Sequence, residues 1–83
     1  MSAPATLEHL APGTQARIAG ITELDERLRA RMFALGLRIG RDVAVLRRAA
    51  LGGPIHIRIG STELMMRRRE ASLIQLQPSA DAA

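Results

Sequence analysis

Few side chains in this chain could do chemistry, and their spacing limits what that chemistry could be. The two histidines, His9 and His56, stand far apart, His9 directly after Glu8 and His56 between Ile55 and Ile57. Alternation along an extended segment points His56 away from whatever core the isoleucines build. Imidazole and carboxylate are ordinary donors to divalent metals, so His9, His56 and Glu8 are the candidate metal ligands. A dedicated zinc site gathers three or four ligands at recognisable spacings, and no such cluster exists here. The expectation is no required cofactor, with an opportunistic divalent ion (Fe or Zn) as the alternative. Ser61 and Ser72 have no neighbouring histidine or lysine to activate a nucleophile. Gly52-Gly53-Pro54 carries no lysine and no Walker pattern, which argues against a phosphate-binding loop. An enzyme is not expected.

Composition narrows the field further. The 83 residues carry a formal net charge of +4, contain no cysteine, and include Phe33 as the only aromatic residue. Without cysteine there are no disulfides, thiolate metal sites or cysteine nucleophiles. Every basic residue is arginine, and Arg67-Arg68-Arg69 with Arg47-Arg48 could form a basic patch, although a solvated rim explains them equally. Single-stranded nucleic-acid binders stack bases on aromatic side chains, and SH3-type peptide grooves are aromatic-lined. One phenylalanine cannot build either surface, so nucleic acid is not the expected partner. No apolar run approaches the roughly 20 residues of a membrane span, and residues 1–14 lack the basic start and apolar stretch of a signal peptide. A cytoplasmic location is the expectation.

The elements that must position these residues follow from periodicity and punctuation. Gln15 to Ile21 alternates as a strand, with Gly20 marking a bulge or bend. Thr22 is a candidate helix N-cap, with Glu23, Asp25 and Glu26 in a first turn that favours negative charge. Leu24, Leu28, Met32 and Leu35 then fall on one stripe at helical spacing. Gly36 supplies the left-handed stop, with Leu37 folding back on Met32. Val43 to Leu46 and Ile55 to Ile59 read as strands joined through Gly52-Gly53-Pro54. Leu64 to Arg67 is a fourth strand with Leu64 and Met66 inward and Met65 outward, Arg68 to Ala71 a single helical turn, and Leu73 to Gln77 the last strand. Five short strands in so small a chain favour a closed or nearly closed barrel. The expected boundaries are an arm over residues 1–9, a domain over 10–77 and a tail over 78–83. Ile18, Leu28, Leu35, Val45, Ile57 and Ile74 are expected to be buried.

Four runs carry a family resemblance: Ala34 to Gly40 (ALGLRIG), Val43 to Ala49 (VAVLRRA), Leu51 to Ile57 (LGGPIHI) and Glu63 to Ile74 (ELMMRRREASLI). Together the chain resembles the ferrous iron transport protein A (FeoA) family from about Leu10 to Leu76. Ile39 and Ala50 stand where that family usually has proline, which would loosen two turns. The resemblance implies a mainly β, SH3-like barrel of about five strands, with one amphipathic helix between the first two strands and a helical turn before the last. It also implies a cytoplasmic accessory protein that binds and modulates FeoB, the membrane GTPase of ferrous iron uptake. A similar barrel in metal-dependent repressors makes a free-standing regulator, binding metal or nucleic acid, the alternative. The expected partner surface is the exposed face of the helix from Glu23 to Gly36, or Gly52, Gly53, Pro54 and His56 with Arg67 and Arg68. A homodimer through a barrel edge is compatible with the pattern.

Overall fold

The computed structural model describes residues 6–22 and 26–78. Strand β1 (Gln15–Ile21) is followed by helix α1 (Glu26–Ala34), then β2 (Asp42–Arg48), β3 (Ile55–Ile59), β4 (Thr62–Met66), the one-turn helix α2 (Arg68–Ala71) and β5 (Ile74–Pro78). The five strands form a single antiparallel sheet in the order β4-β3-β2-β1-β5. The sheet wraps on itself. Met66 of β4 and Ile74 and Leu76 of β5 come from opposite ends of that order, yet they share one core with Ile18, Val43, Val45, Ile55, Ile57 and Ile59.

Bulges supply the curvature. Register shifts between Ile18 and Gly20 in β1 and between Val45 and Arg47 in β2, and an extra residue in one strand bends it and increases its twist. A Cβ at Gly20 would stand 2.7 Å from Oε1 of Gln75, so a larger residue there would displace the end of that side chain. The Gln75 amide in turn donates to Oγ1 of Thr22 at 2.6 Å. The Thr22 hydroxyl is thus engaged with β5, while Glu23, Leu24 and Asp25 of the expected helix start lie outside the described residues.

Helix α1 ends as its sequence dictates. Leu37 N–H donates to the Met32 carbonyl at 3.0 Å and Gly36 N–H to the Phe33 carbonyl at 3.0 Å, the paired bonds of a Schellman stop. Gly36 takes φ 94°, a conformation that costs a residue with a Cβ. Met32 and Leu37, which this motif brings together, are both buried. Leu28 and Leu35 differ from expectation: they are half-buried and pack against the core from outside. The helix is short and meets the sheet along one row, with Leu28, Met32 and Leu35 facing Leu64, Met65 and Met66. Only the centre of that row is covered on all sides. Leu64, expected inward, is likewise half-buried.

The N-terminal end departs from the expected arm. Thr6 bridges to Gln75, residues Leu7–His9 form a 3-10 turn, and Leu7 is completely buried in the core. A single leucine in a segment of small residues gives no periodicity from which burial could be read. Pro78, placed in the tail by the sequence, pairs with Ala16 as the end of β5.

Candidate docking surfaces

The connection between β2 and β3 is the most exposed apolar point of the described structure. Ala49 N–H donates to the Pro54 carbonyl at 3.0 Å and closes the loop, while Gly53 N–H donates to the Ala50 carbonyl at 3.2 Å. Between them Leu51 adopts φ 59°, ψ 36° and projects wholly into solvent, at 104% relative exposure. Both features are unfavourable by themselves: left-handed backbone costs an L-residue roughly 1–2 kcal/mol, and an exposed leucine forgoes burial. Strain and exposure together at one residue are the pattern of a contact site. Gly52 follows in the same left-handed region, at φ 75°, and a Cβ on it would stand 3.0 Å from Nη1 of Arg68. Gly53 is packed so closely that a Cβ would lie 2.8 Å from that of Ala49.

Of the residues expected at a partner surface, Gly52, Gly53, Pro54 and Arg68 therefore share one locality. Arg68 is fixed there by a 3.0 Å bond from Nε to Oε2 of Glu8. Arg67 is exposed at the junction of β4 and α2, where its backbone N–H donates to Oε1 of Glu70 at 3.1 Å. His56 lies on the outer face of β3, opposite Arg47 on β2 and Met65 on β4. Its Nε2 is 3.1 Å from Oε1 of Glu63. With Arg47, Arg48, Ala49 and Met65 it lines a cleft of about 200 Å³. Met65 is exposed, as expected.

The candidate metal ligands do not converge. His9 stands 3.5 Å from Glu8, whose other carboxylate oxygen is engaged by Arg68, and His56 pairs instead with Glu63. Among the described residues no group of three or more His, Cys, Asp or Glu side chains could hold a metal ion. These are pairs, short of the three or four donors of a dedicated zinc site.

The other expected partner surface, the exposed face of the helix from Glu23 to Gly36, contributes Arg29 and Phe33 to a groove whose remaining walls the sequence reading did not place. Ile21, Thr22, Arg29, Met32, Phe33, Leu37, Arg38 and Ile39 line an open groove of about 330 Å³ beside α1. Phe33 and Ile39 remain 59% and 67% exposed at its edge. The Arg38 guanidinium lies over the Phe33 ring, 4.1 Å from its centroid, a cation–π arrangement. Two signals for this groove were present in the sequence. Phe33 falls off the Leu28–Met32–Leu35 stripe, and Ile39 places a large apolar side chain in a turn.

The FeoA domain family matches residues 5–78. The chain belongs to the FeoA family. Its fold superimposes on iron(II) transport protein A from Clostridium thermocellum with a TM-score of 0.83 at 32% identity, covering 89% of this chain and 45% of that one. This chain thus spans less than half of that relative's length. FeoA from Stenotrophomonas maltophilia, a prokaryotic SH3-domain protein complexed with zinc, gives a TM-score of 0.78 at 24% identity, with 88% and 89% of the two chains covered. A manganese-dependent transcriptional repressor shares the fold at a TM-score of 0.82 and 20% identity, over 93% of this chain and 44% of the repressor. The five antiparallel strands and two helices are therefore an SH3-like fold of the FeoA type. Among the described residues no helix is long and apolar enough to cross a membrane.

Proposed function

We propose that this chain is a cytoplasmic, non-catalytic accessory protein of ferrous iron uptake that binds the membrane GTPase FeoB and modulates it. The observation that carries this reading is the family match over residues 5–78. The strained, fully exposed Leu51 at the β2–β3 tip supports it, because a partner that covers this side chain recovers the burial it forgoes in the free chain. On this reading Leu51 enters an apolar pocket of the partner, with Gly52, Gly53 and Pro54 against its rim and Arg68 supplying charge at the edge. His56 and Arg67 extend the contact.

The test is capture of FeoB from solubilised membranes on the immobilised chain, with GTP analogue, with GDP and without nucleotide. Capture in at least one state is expected, and Leu51→Asp should abolish it with unfolding stability unchanged. Absence of FeoB in all three states would sink the proposal.

The likeness to a manganese-dependent repressor, with the net charge of +4, favours one second reading: a free-standing regulatory module that contacts metal or nucleic acid. It requires either binding to a DNA duplex that weakens steeply as salt is added, or Fe(II) or Zn(II) binding by calorimetry that His56→Ala weakens. Absent or salt-independent DNA binding together with no metal binding removes it.

A further inference from the structure

We infer that the groove beside α1 is a second docking site, separate from the β2–β3 tip, and that it receives an acidic segment of a partner protein carrying one large apolar side chain. The groove offers apolar walls from Ile21, Met32, Leu37 and Ile39. Of the described residues that line it, the two charged ones, Arg29 and Arg38, are both cationic. Arg29 and Phe33 are four residues apart and so lie one turn apart on the same face of α1. Arg38 approaches from beyond the helix stop and stacks on the Phe33 ring at 4.1 Å. Stacking uses the face of the guanidinium and leaves its N–H edges to donate, the geometry that grips a carboxylate through two parallel hydrogen bonds. An apolar side chain flanked by Asp or Glu matches both halves of the site: its body fills the groove and its neighbours meet the arginines.

Charge also argues against a second copy of this chain as the occupant. The most exposed apolar side chain available to fill the groove is Leu51, but the loop around it has no carboxylate, and Arg68 leans over it. The nearest carboxylate, Glu8, is already paired with Arg68 at 3.0 Å, so docking that tip would bring no unengaged acid to Arg29 and Arg38 and would forgo the charge complementarity the groove offers. The site holds whichever protein supplies the segment, so it stands or falls independently of the transporter reading.

The probe is a pair of 15-residue peptides with the same Leu and Phe positions and otherwise Glu in one and Lys in the other. They are titrated into the full chain while methyl resonances of Ile21, Met32, Leu37 and Ile39 are followed. The Glu peptide should shift these methyls and bind at least about tenfold tighter than the Lys peptide, with the difference shrinking as salt screens the arginines. Arg29→Glu with Arg38→Glu should reverse the preference, and Ile39→Asp should weaken the Glu peptide about tenfold or more. If the double reversal does not fold, Arg29→Gln with Arg38→Gln should erase the discrimination. Unmoved methyls, equal binding of both peptides, or methyl shifts that appear on concentrating the chain alone would overturn the inference. FeoB capture by the double variant reads the transporter proposal separately.

Discussion

The curled sheet and helix α1 are built from the same kinds of apolar side chain, yet they use them differently. In the sheet Ile18, Val45, Ile57 and Ile74 are completely buried. On α1 Met32 alone comes close to that state, while Leu28 and, just past the helix end, Leu35 are half-buried and Phe33 is exposed. The sheet surrounds its side chains because it curls until its two edge strands, β4 and β5, share one core. The helix rests on one row and keeps the rest of its surface for something else. The difference separates what holds this molecule together from what it presents to others.

The sharpest way to break that comparison is to empty one site in each region. Ile57→Ala removes side-chain volume from the centre of the sheet and should cost about 2–5 kcal/mol, the range for a packed core position that cannot collapse, read from urea unfolding at constant m-value. Leu28→Ala should cost less, about 1–2 kcal/mol, because solvent already reaches part of the side chain and no closed cavity forms. If both substitutions cost the same, α1 is a full core element and the division fails.

A backbone substitution tests how the helix is held. Gly36→Ala meets Cγ2 of Ile59 at 3.8 Å, ordinary contact distance, so its cost is the left-handed conformation at φ 94° alone. That should amount to about 1 kcal/mol, with the methyl resonances of Met32 and Leu37 displaced and those of Ile18 and Ile74 unmoved. Displacement throughout the sheet would show that the Schellman stop organises the whole barrel.

The same contrast governs how much could be read from the residues. The strands at Gln15–Ile21 and Ile55–Ile59 and the turn at Arg68–Ala71 appear at the expected positions, because alternation with β-branched side chains leaves one consistent register. Glycine stops were legible for the same local reason. Burial of Leu7 was not, since it depends on contacts with β5 and α2 that have no local signature. The glycines mark the tip in the sequence, but nothing local says that a leucine between an alanine and a glycine must point outward on strained backbone. The groove is legible only in part: the exposed face of α1 is an expected surface, but the end of β1 and the turn after Gly36 join it only once the chain folds. Glu8 beside His9 is legible from adjacency, whereas the pairing of His56 with Glu63 depends on cross-strand placement.

The smallest expected effect concerns an ion pair that ties α1 to α2. Nη1 of Arg31 lies 3.2 Å from Oε2 of Glu70 on α2, with the arginine side chain 59% exposed and the glutamate 12%. An arginine so exposed is largely screened, and a double-mutant cycle with Arg31→Ala and Glu70→Ala should return a coupling of about 0.5 kcal/mol. Glu70→Ala alone should cost more than Arg31→Ala, because Glu70 also accepts the Arg67 N–H at 3.1 Å, and the cycle removes that second contribution. In 1 M salt the screening length falls to about 3 Å, so the coupling should nearly vanish, while the loss caused by Ile57→Ala, made of burial and packing, should persist. A coupling that survives high salt would mean the pair is shielded from solvent, and α1 would then belong with the sheet as part of the closed core rather than resting against it.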